Sequence, residues 1–153
     1  MARRFAVDSM LGKLAKWLRI LGFDARCERI ASQVELDHLR RDGFTVVTRS
    51  RRWSTQGQVL LLEANDPSEQ LRELITALGI TRGDLKPLSR CIRCNEPLRI
   101  IPRREALGAV PDYVYETQAE FHQCPGCNRI YWPGSHSKRM SDRLACQTGW
   151  SVQ

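Results

Sequence analysis

The sequence predicts an α/β domain built on a parallel sheet, followed by a small β module. Two observations support this prediction. Across residues 1–79, short apolar segments alternate with segments whose apolar residues recur at helical spacing. Later in the 153-residue chain, two Cys-x-x-Cys pairs enclose a stretch long enough to form a small sheet. Alternating strands and helices imply parallel pairing through right-handed crossovers, with helices on both faces of the sheet.

The strands and helices of the first part are predicted by apolar spacing and by helix-end residues. Apolar or β-branched runs predict four strands, at residues 5–7, 23–27, 44–48 and 58–62. Helices are predicted at residues 10–21, 32–42 and 66–78, and each is followed by a glycine, which commonly ends a helix. Ser32 and Asp66 start the second and third helices because their side chains accept hydrogen bonds from free N–H groups.

The two Cys-x-x-Cys pairs predict a structural zinc site. Its four ligands are Cys91, Cys94, Cys124 and Cys127. Structural zinc prefers a tetrahedral set of ligands, and the two-residue spacer lets both sulfurs of a pair face one ion. Two disulfides are the alternative, which this spacing and the intracellular character of the chain disfavour. Strand-like segments at residues 97–101, 113–115 and 129–132 predict a three-stranded zinc ribbon.

Charge and hydropathy limit the class of protein. A net charge of +7 and a pI near 9.4 permit an anionic partner, and nucleic acid is favoured because Lys and Arg supply most phosphate contacts. No apolar run is long enough to cross a bilayer, and Asp8 interrupts the N-terminal apolar segment before a signal-peptide core forms. We therefore expect a soluble, cytoplasmic protein. Cys27, on a strand expected to be buried, and Cys146, in the tail, are expected to be inert thiols.

Four acidic residues are candidates for a second metal site at the sheet edge where the strands end. Asp8 follows the first strand, Glu35 and Asp37 lie on the second helix, and Asp66 follows the last strand. Carboxylate oxygens suit Mg²⁺ or Mn²⁺, ions that activate water and neutralise charge on a phosphodiester. Three of these acidic residues also have a structural alternative: a capping box for Glu35, a helix cap for Asp66, and a solvent-facing position for Asp37. Asp8 has few structural roles apart from helix capping.

Several motifs, in one order along the chain, resemble the Mut-seven C-terminal RNase domain family. The first are FAVDSMLGKLAKWLRILGFD at residues 5–24 and Val-Thr-Arg at residues 47–49. In the second half, SRCIRCN at residues 89–95, FHQCPGC at residues 121–127 and YWPGSH at residues 131–136 are similar to the zinc ribbon of that family. The resemblance covers roughly residues 5 to 140.

The resemblance implies a PIN-like parallel-sheet sandwich followed by a small β zinc ribbon. It also implies a metal-dependent ribonuclease, in which acidic residues hold Mg²⁺ or Mn²⁺. We predict a PIN-like α/β domain at residues 1–80, a linker at 81–90, the ribbon at 91–137 and a tail at 138–153. Because PIN-like domains often pair, a homodimer is left open.

One position departs from the family pattern. Members usually carry Asp after Thr-Arg at the end of the third strand, whereas this chain has Ser50. A serine brings no negative charge, so a metal ion held by Asp8 and the helix carboxylates would bind more weakly. The neighbouring Arg49, Arg51 and Arg52 attract RNA but repel a cation. Loss of catalysis is therefore an alternative that the sequence leaves open.

Basic residues in both halves are predicted to contact RNA. They are Arg49, Arg51, Arg52, Arg99, Arg129 and His136. Aromatic residues beside the ribbon arginines suit base stacking, and the alternative is that they pack the ribbon or dock it. His136 has a structural role as its alternative. Trp17 and Trp53 are expected to be core or docking residues.

Three functions compete at this stage. The first is an RNA-directed, metal-dependent ribonuclease whose ribbon grips RNA. The second is a non-catalytic RNA- or ribosome-associated binding protein whose metal site is impaired by Ser50. The third is a zinc-ribbon module for protein interaction, with the α/β domain as a scaffold.

Overall fold

The computed structural model describes residues 3–53 and 56–133, which form two sheets. The larger sheet is parallel, with the spatial order β2-β1-β3-β4. Its strands are β1 (Arg4–Asp8), β2 (Asp24–Glu28), β3 (Thr45–Thr48) and β4 (Val59–Leu61). Val7 of β1 is in register with Cys27 of β2 and Val47 of β3. The C-terminal ends of these three strands therefore lie side by side at one edge of the sheet.

Helices cover both faces of this sheet, as the sequence predicts. Two helices, α1 (Gly12–Ile20) and α3 (Pro67–Leu78), pack on one face, and α2 (Gln33–Arg41) packs on the other. Alternation along β1 explains the division, because Phe5 and Val7 lie in the core under α1 and α3 whereas Ala6 faces α2. The α/β fold class is confirmed. None of the described helices is both long and apolar enough to cross a membrane.

The ends of α2 and α3 are capped by the side chains that the sequence indicates. Ser32 Oγ accepts a hydrogen bond from the N–H of Glu35 at 3.2 Å, and Glu35 accepts one from the N–H of Ala31 at 2.8 Å. Asp66 accepts hydrogen bonds from two N–H groups of the first turn of α3, at 3.0 and 3.4 Å. The structural alternatives for Glu35 and Asp66 are thus both realised.

The smaller sheet is antiparallel and belongs to the cysteine module, which we define as residues 88–133. It consists of β5 (Arg99–Ile101), β6 (Phe121–Gln123) and β7 (Ile130–Tyr131). The outer two of these strands lie within the predicted segments. A four-cysteine cluster beside a small antiparallel sheet agrees with the predicted ribbon.

The predicted strand at residues 113–115 is wrong, since helix α4 (Asp112–Thr117) occupies this segment. Pro111 is the N-cap of this helix and has an extended backbone, with φ −58° and ψ 147°, so the helix begins immediately after it. The helix buries Val114 and brings the Tyr115 ring parallel to that of Phe121, with centroids 6.4 Å apart. Three residues with alternating polarity are too few to distinguish a strand from one turn of helix.

Cys27 is exposed, so the expectation of a buried strand position is also wrong. The reason is that β2 is an edge strand, and Ala25 is the one buried residue among its five. The predicted linker, in contrast, folds back on the α/β part, which we define as residues 3–80. Its Lys86 N–H donates a hydrogen bond to the carbonyl of Leu21 at 2.8 Å.

Gly22 makes this close approach sterically feasible. Its φ is +97°, and an added Cβ would lie 2.1 Å from the carbonyl oxygen of Lys86. The sequence showed Gly22 only as the end of a helix. The structure adds that the residue must be small because the segment after residue 80 crosses directly over it.

We predict that Gly22→Ala lowers the free energy of unfolding by about 3 kcal/mol or more, because left-handed strain adds to the displacement of Lys86. The matched control is Gly43→Ala, which has a φ of +86° but no heavy atom within 4 Å of the added carbon. It should cost only about 1–2 kcal/mol. Urea unfolding followed by tryptophan fluorescence compares the two. Equal losses would show that the approach of Lys86 imposes no restriction.

Candidate functional site

The four predicted zinc ligands converge on one point. The sulfurs of Cys91, Cys94, Cys124 and Cys127 all lie within 4.8 Å of one another. Those of Cys91 and Cys127 are 3.7 Å apart. Zinc–sulfur bonds of about 2.3 Å in a tetrahedron place the sulfurs about 3.8 Å apart, whereas a disulfide requires about 2.05 Å. The cluster therefore indicates a structural metal site whose donor set fits zinc, and the four cysteines are free rather than joined in disulfides.

Two equivalent turns hold the cysteines, and we call residues 91–96 the first knuckle and 124–129 the second. In both turns, the asparagine after the second cysteine has a left-handed backbone, with φ of +61° at Asn95 and +62° at Asn128. Each asparagine donates its N–H to the carbonyl of the first cysteine at 2.9 Å. Asparagine tolerates this conformation better than other non-glycine residues, so its presence in both turns has a geometric reason.

Hydrogen bonds prepare the Cys91 sulfur for metal binding. The Tyr131 hydroxyl accepts a hydrogen bond from the Ile92 N–H at 3.2 Å, which directs its own proton to the Cys91 sulfur at 3.1 Å. The Cys94 N–H also points to this sulfur at 3.3 Å. Burial acts to raise the pKa of Cys91, but these hydrogen bonds outweigh it and lower the pKa to about 7. The thiolate, which is the form that binds metal, is thereby favoured.

The first knuckle is also the contact between the cysteine module and the α/β part. Arg19 of α1 donates hydrogen bonds to the carbonyls of Ala25 and Ile92, both at 2.8 Å. The Asn95 side chain donates to Asp24 Oδ1 at 2.7 Å and accepts from the Ala25 N–H at 3.0 Å. Asn95 therefore has two functions, since its backbone completes the knuckle and its amide binds the beginning of β2.

At the opposite end of the strands, Asp8 is buried with 5% of its surface exposed. Its Oδ2 accepts a hydrogen bond from the Thr48 hydroxyl at 2.8 Å. Thr48 Oγ1 in turn accepts one from the Ser50 N–H at 3.0 Å. Thr48 thus orients the buried Asp8 carboxylate, and Thr48 is itself held by the N–H of Ser50. Ser50 is the residue that departs from the family pattern.

Glu28 is a further acidic residue at this edge, and the sequence analysis missed it. It is in register with Asp8, so the two side chains project from neighbouring strands toward the same face of the sheet. The available signal was its position at the end of the second strand, but strand register is required to place it beside Asp8. Thr48 was missed as a partner for the same reason.

The other acidic candidates are engaged in local interactions. Glu35 and Asp66 cap helices, as described above. Asp37 accepts a hydrogen bond from Gln33 at 2.9 Å and lies 3.4 Å from Arg40, in an ion pair three residues along the helix. Within residues 3–53 and 56–133, the cysteine quartet is the one group of three or more His, Cys, Asp or Glu side chains close enough to share a metal ion. The assignment of Asp8, Glu35, Asp37 and Asp66 to a catalytic metal site stays a prediction.

Three arginines follow β3 close to Asp8. Arg49 is exposed, and Arg51 lies 3.5 Å from Glu63, with both side chains mostly in solvent. Arg52 stacks on the Trp53 ring at 4.3 Å, which agrees with the expectation that Trp53 is a core residue. These cations follow the strand whose Thr48 contacts Asp8, but their contact with RNA stays a prediction.

The remaining predicted RNA contacts belong to the cysteine module. Arg99, on β5, is exposed and donates to Gln123 at 3.3 Å. Arg129 is exposed at the end of the second knuckle. His136 and Cys146 lie outside the described residues. Trp17 is half-buried on α1 and packs against the core of the α/β part, as expected.

The order of the two parts and the cysteine geometry agree with one known family. A family model described as the Mut7-C RNAse domain matches residues 3–144, nearly the whole chain. The chain belongs to this family. A search of curated proteins gives no match. Membership in the Mut7-C RNAse domain family supports a role related to nuclease activity or RNA, and the resemblance found in the sequence is confirmed.

We predict that Cys124→Ser removes the stoichiometric zinc of the purified protein and unfolds the cysteine module, because three thiolates do not complete the tetrahedral site. Cys27→Ser is the matched control, since Cys27 is outside the cluster. It should retain one zinc per chain. Atomic emission gives the zinc content, and limited proteolysis followed by mass spectrometry locates the cleavage sites. Full zinc content in Cys124→Ser would contradict the assignment.

A second prediction concerns Asn95. Asn95→Gly keeps the left-handed turn but removes two hydrogen bonds to β2, so it should lower the free energy of unfolding by about 1.5–3 kcal/mol. Asn128→Gly is the matched control, because Asn128 has the same backbone conformation and its amide makes no hydrogen bond to the described residues of the α/β part. Its effect should be within about 0.5 kcal/mol. Urea titration of the zinc-loaded proteins tests this, and similar losses in both would refute a special contribution from Asn95.

Proposed function

We propose that this chain is a metal-dependent ribonuclease that hydrolyses RNA phosphodiesters at the Asp8 edge, with its zinc ribbon assisting RNA binding. The observation that carries the proposal is the buried Asp8 carboxylate, held by Thr48 at the ends of two adjacent parallel strands, in a member of an RNAse domain family. A carboxylate buried there needs a compensating partner, and one hydroxyl donor compensates it only in part.

The oxygen donors at this edge fit a hard divalent cation. Asp8 and Glu28 would hold Mg²⁺ or Mn²⁺, with carboxylates from the loops as further candidates. Such an ion supplies an activated water and neutralises charge on the phosphodiester. Thr48 orients Asp8, because its hydroxyl donates to the carboxylate. Arg49 and Arg52 supply positive charge that attracts the RNA backbone to the same edge.

The second candidate function is RNA binding without cleavage, as an RNA- or ribosome-associated protein. A specific observation favours it: Glu35 and Asp66 already accept backbone hydrogen bonds as helix caps, which leaves few carboxylates to bind a cation. The family aspartate is also replaced by Ser50. In this case the arginines after β3 would bind RNA near an acidic edge that holds no catalytic ion.

The cytoplasmic location, the PIN-like assignment and a homodimer also stay proposals.

We predict that the zinc-loaded protein cleaves a labelled single-stranded RNA when Mn²⁺ or Mg²⁺ is added, and that Asp8→Asn lowers the rate at least about 100-fold. The asparagine amide oxygen still accepts the Thr48 hydrogen bond, so the fold should persist, as circular dichroism would show. Asp42→Asn is the control: Asp42 directly follows α2 and precedes β3, at the opposite edge of the sheet. It should cleave normally.

Ser50→Asp decides between the two candidate functions. If a weakened catalytic site is present, the added carboxylate should lower the metal concentration needed for half-maximal cleavage about tenfold, because affinity for hard cations rises with ligand charge. If neither the natural chain nor Ser50→Asp cleaves RNA and both bind it tightly, the ribonuclease proposal is refuted in favour of the binding function.

A further inference from the structure

A cleft between α1 and the two knuckles combines aromatic walls with unpaired cations. Its volume is about 440 Å³, within the range of pockets that hold small ligands. Trp17 and Ile20, one turn apart on α1, form one wall, and Ile92 and Tyr131 form the other. The cleft lies where the cysteine module meets the α/β part, and it is separate from the Asp8 edge because Asp8 precedes α1 whereas Trp17 and Ile20 belong to its second half.

The charged residues of this cleft are all positive. Lys16 comes from α1, Arg93 from the first knuckle and Arg129 from the second, and all three are exposed. Among residues 3–53 and 56–133, no Asp or Glu lines the cleft, and none of these three cations forms an ion pair. Two neighbouring cavities differ, since carboxylates such as Asp24 neutralise their arginines in part. This lining favours an anion over a cation.

The aromatic walls indicate what kind of anion fits. Tyr131 is 7% exposed, and its hydroxyl is held by Cys91 and Ile92, so the ring has a fixed position. Trp17 is half-buried against the core of the α/β part. A rigid aromatic surface rimmed by cations is the arrangement with which proteins hold single-stranded nucleic acid, through stacking on bases and contact with phosphates.

We propose that this cleft binds one unpaired nucleotide of single-stranded RNA, with its base on the wall formed by Trp17 and Ile20 and the flanking phosphates on Lys16, Arg93 and Arg129. This inference rests on the proposed RNA substrate and adds a second binding point to it. An unpaired base reaches the walls, whereas a base inside a duplex is stacked on its neighbours and is not available. The cleft would therefore make binding selective for single strands, independently of cleavage.

The test measures binding without cleavage, in the zinc-loaded full chain carrying Asp8→Asn and without Mg²⁺ or Mn²⁺. The probe is a fluorescein-labelled 12-nucleotide oligouridine, followed by anisotropy. Replacing Lys16, Arg93 and Arg129 together with Gln should weaken binding at least about tenfold. It should also reduce the slope of log affinity against log salt by about 2, for three phosphate contacts to a single strand.

The matched control replaces Arg72, Arg82 and Arg104 with Gln, which removes the same charge from exposed positions elsewhere. It should weaken binding less than about threefold.

A second pair of variants tests the aromatic wall. Trp17→Phe keeps a ring and Trp17→Leu keeps only apolar bulk, while both lose the indole contacts with the core. Stacking of about 1–3 kcal/mol per base predicts that Trp17→Leu binds at least about fivefold more weakly than Trp17→Phe at similar melting temperature. Equal affinity of these two variants would overturn base stacking. Equal losses in the two triple-Gln variants would overturn the cleft as a phosphate site.

Two further outcomes distinguish binding of an unpaired nucleotide from binding of other anionic ligands. If polyglutamate of matched charge competes as well as oligouridine, the cleft is a docking point for acidic protein segments, and the RNA proposal is refuted. If double-stranded RNA binds as tightly as oligouridine, selectivity for an unpaired base is refuted. If the natural chain cleaves no RNA but the cleft variants weaken oligouridine binding as predicted, the ribonuclease proposal is refuted and the nucleotide-binding cleft is supported. Failure of one proposal is therefore distinguishable from failure of the other.

Discussion

The attachment of the first knuckle to the edge strand β2 is the interaction on which the arrangement of the two parts depends. Asn95 serves the metal turn with its backbone and β2 with its side chain, at 2.7 and 3.0 Å. Arg19 adds a hydrogen bond from α1 to the same knuckle at 2.8 Å. Burial lowers the pKa of Arg19, whereas the nearby acidic groups of Cys27, Cys91, Asp24 and Cys94 act against this. Metal binding and docking are thus coupled through one turn.

The Asp8 edge has a different physical basis. It depends on the register of β1 with β2 and β3, which is fixed by the burial of Ala6 and Val7 on opposite faces of the sheet. A shift of one residue would move both side chains to the wrong core, so the register is strongly specified. Asp8, Glu28 and Thr48 therefore lie at the same level across three strands as a consequence of packing. No contact with the cysteine module is required to form this edge.

Local signals in the sequence predict the parts of the structure whose causes are local. The caps at Ser32 and Asp66 act within a few residues, and both predictions are confirmed. The Cys-x-x-Cys spacing is also a local signal, and the four cysteines it singles out converge on one point. Glu28 beside Asp8 and Asn95 against β2 depend on pairing across the fold, which a single sequence does not display. The error at residues 113–115 has a related cause. A segment of three residues carries too little periodicity, and the Phe121 ring against which Tyr115 packs is six residues away.

We expect the cleft and the Asp8 edge to respond differently to loss of the structural metal. The walls of the cleft contributed by Ile92 and Tyr131 belong to the knuckles or to β7, and Tyr131 is held in place by Cys91 itself. Without the ion, four adjacent thiolates would repel one another and the knuckles would open, because a module of this size has only a small hydrophobic core to hold them closed. Asp8 and Thr48 stay together under the same change, since buried strands hold them. The cysteine cluster therefore supports the cleft proposed for RNA, whereas the position of Asp8 is set by the strands of the α/β part.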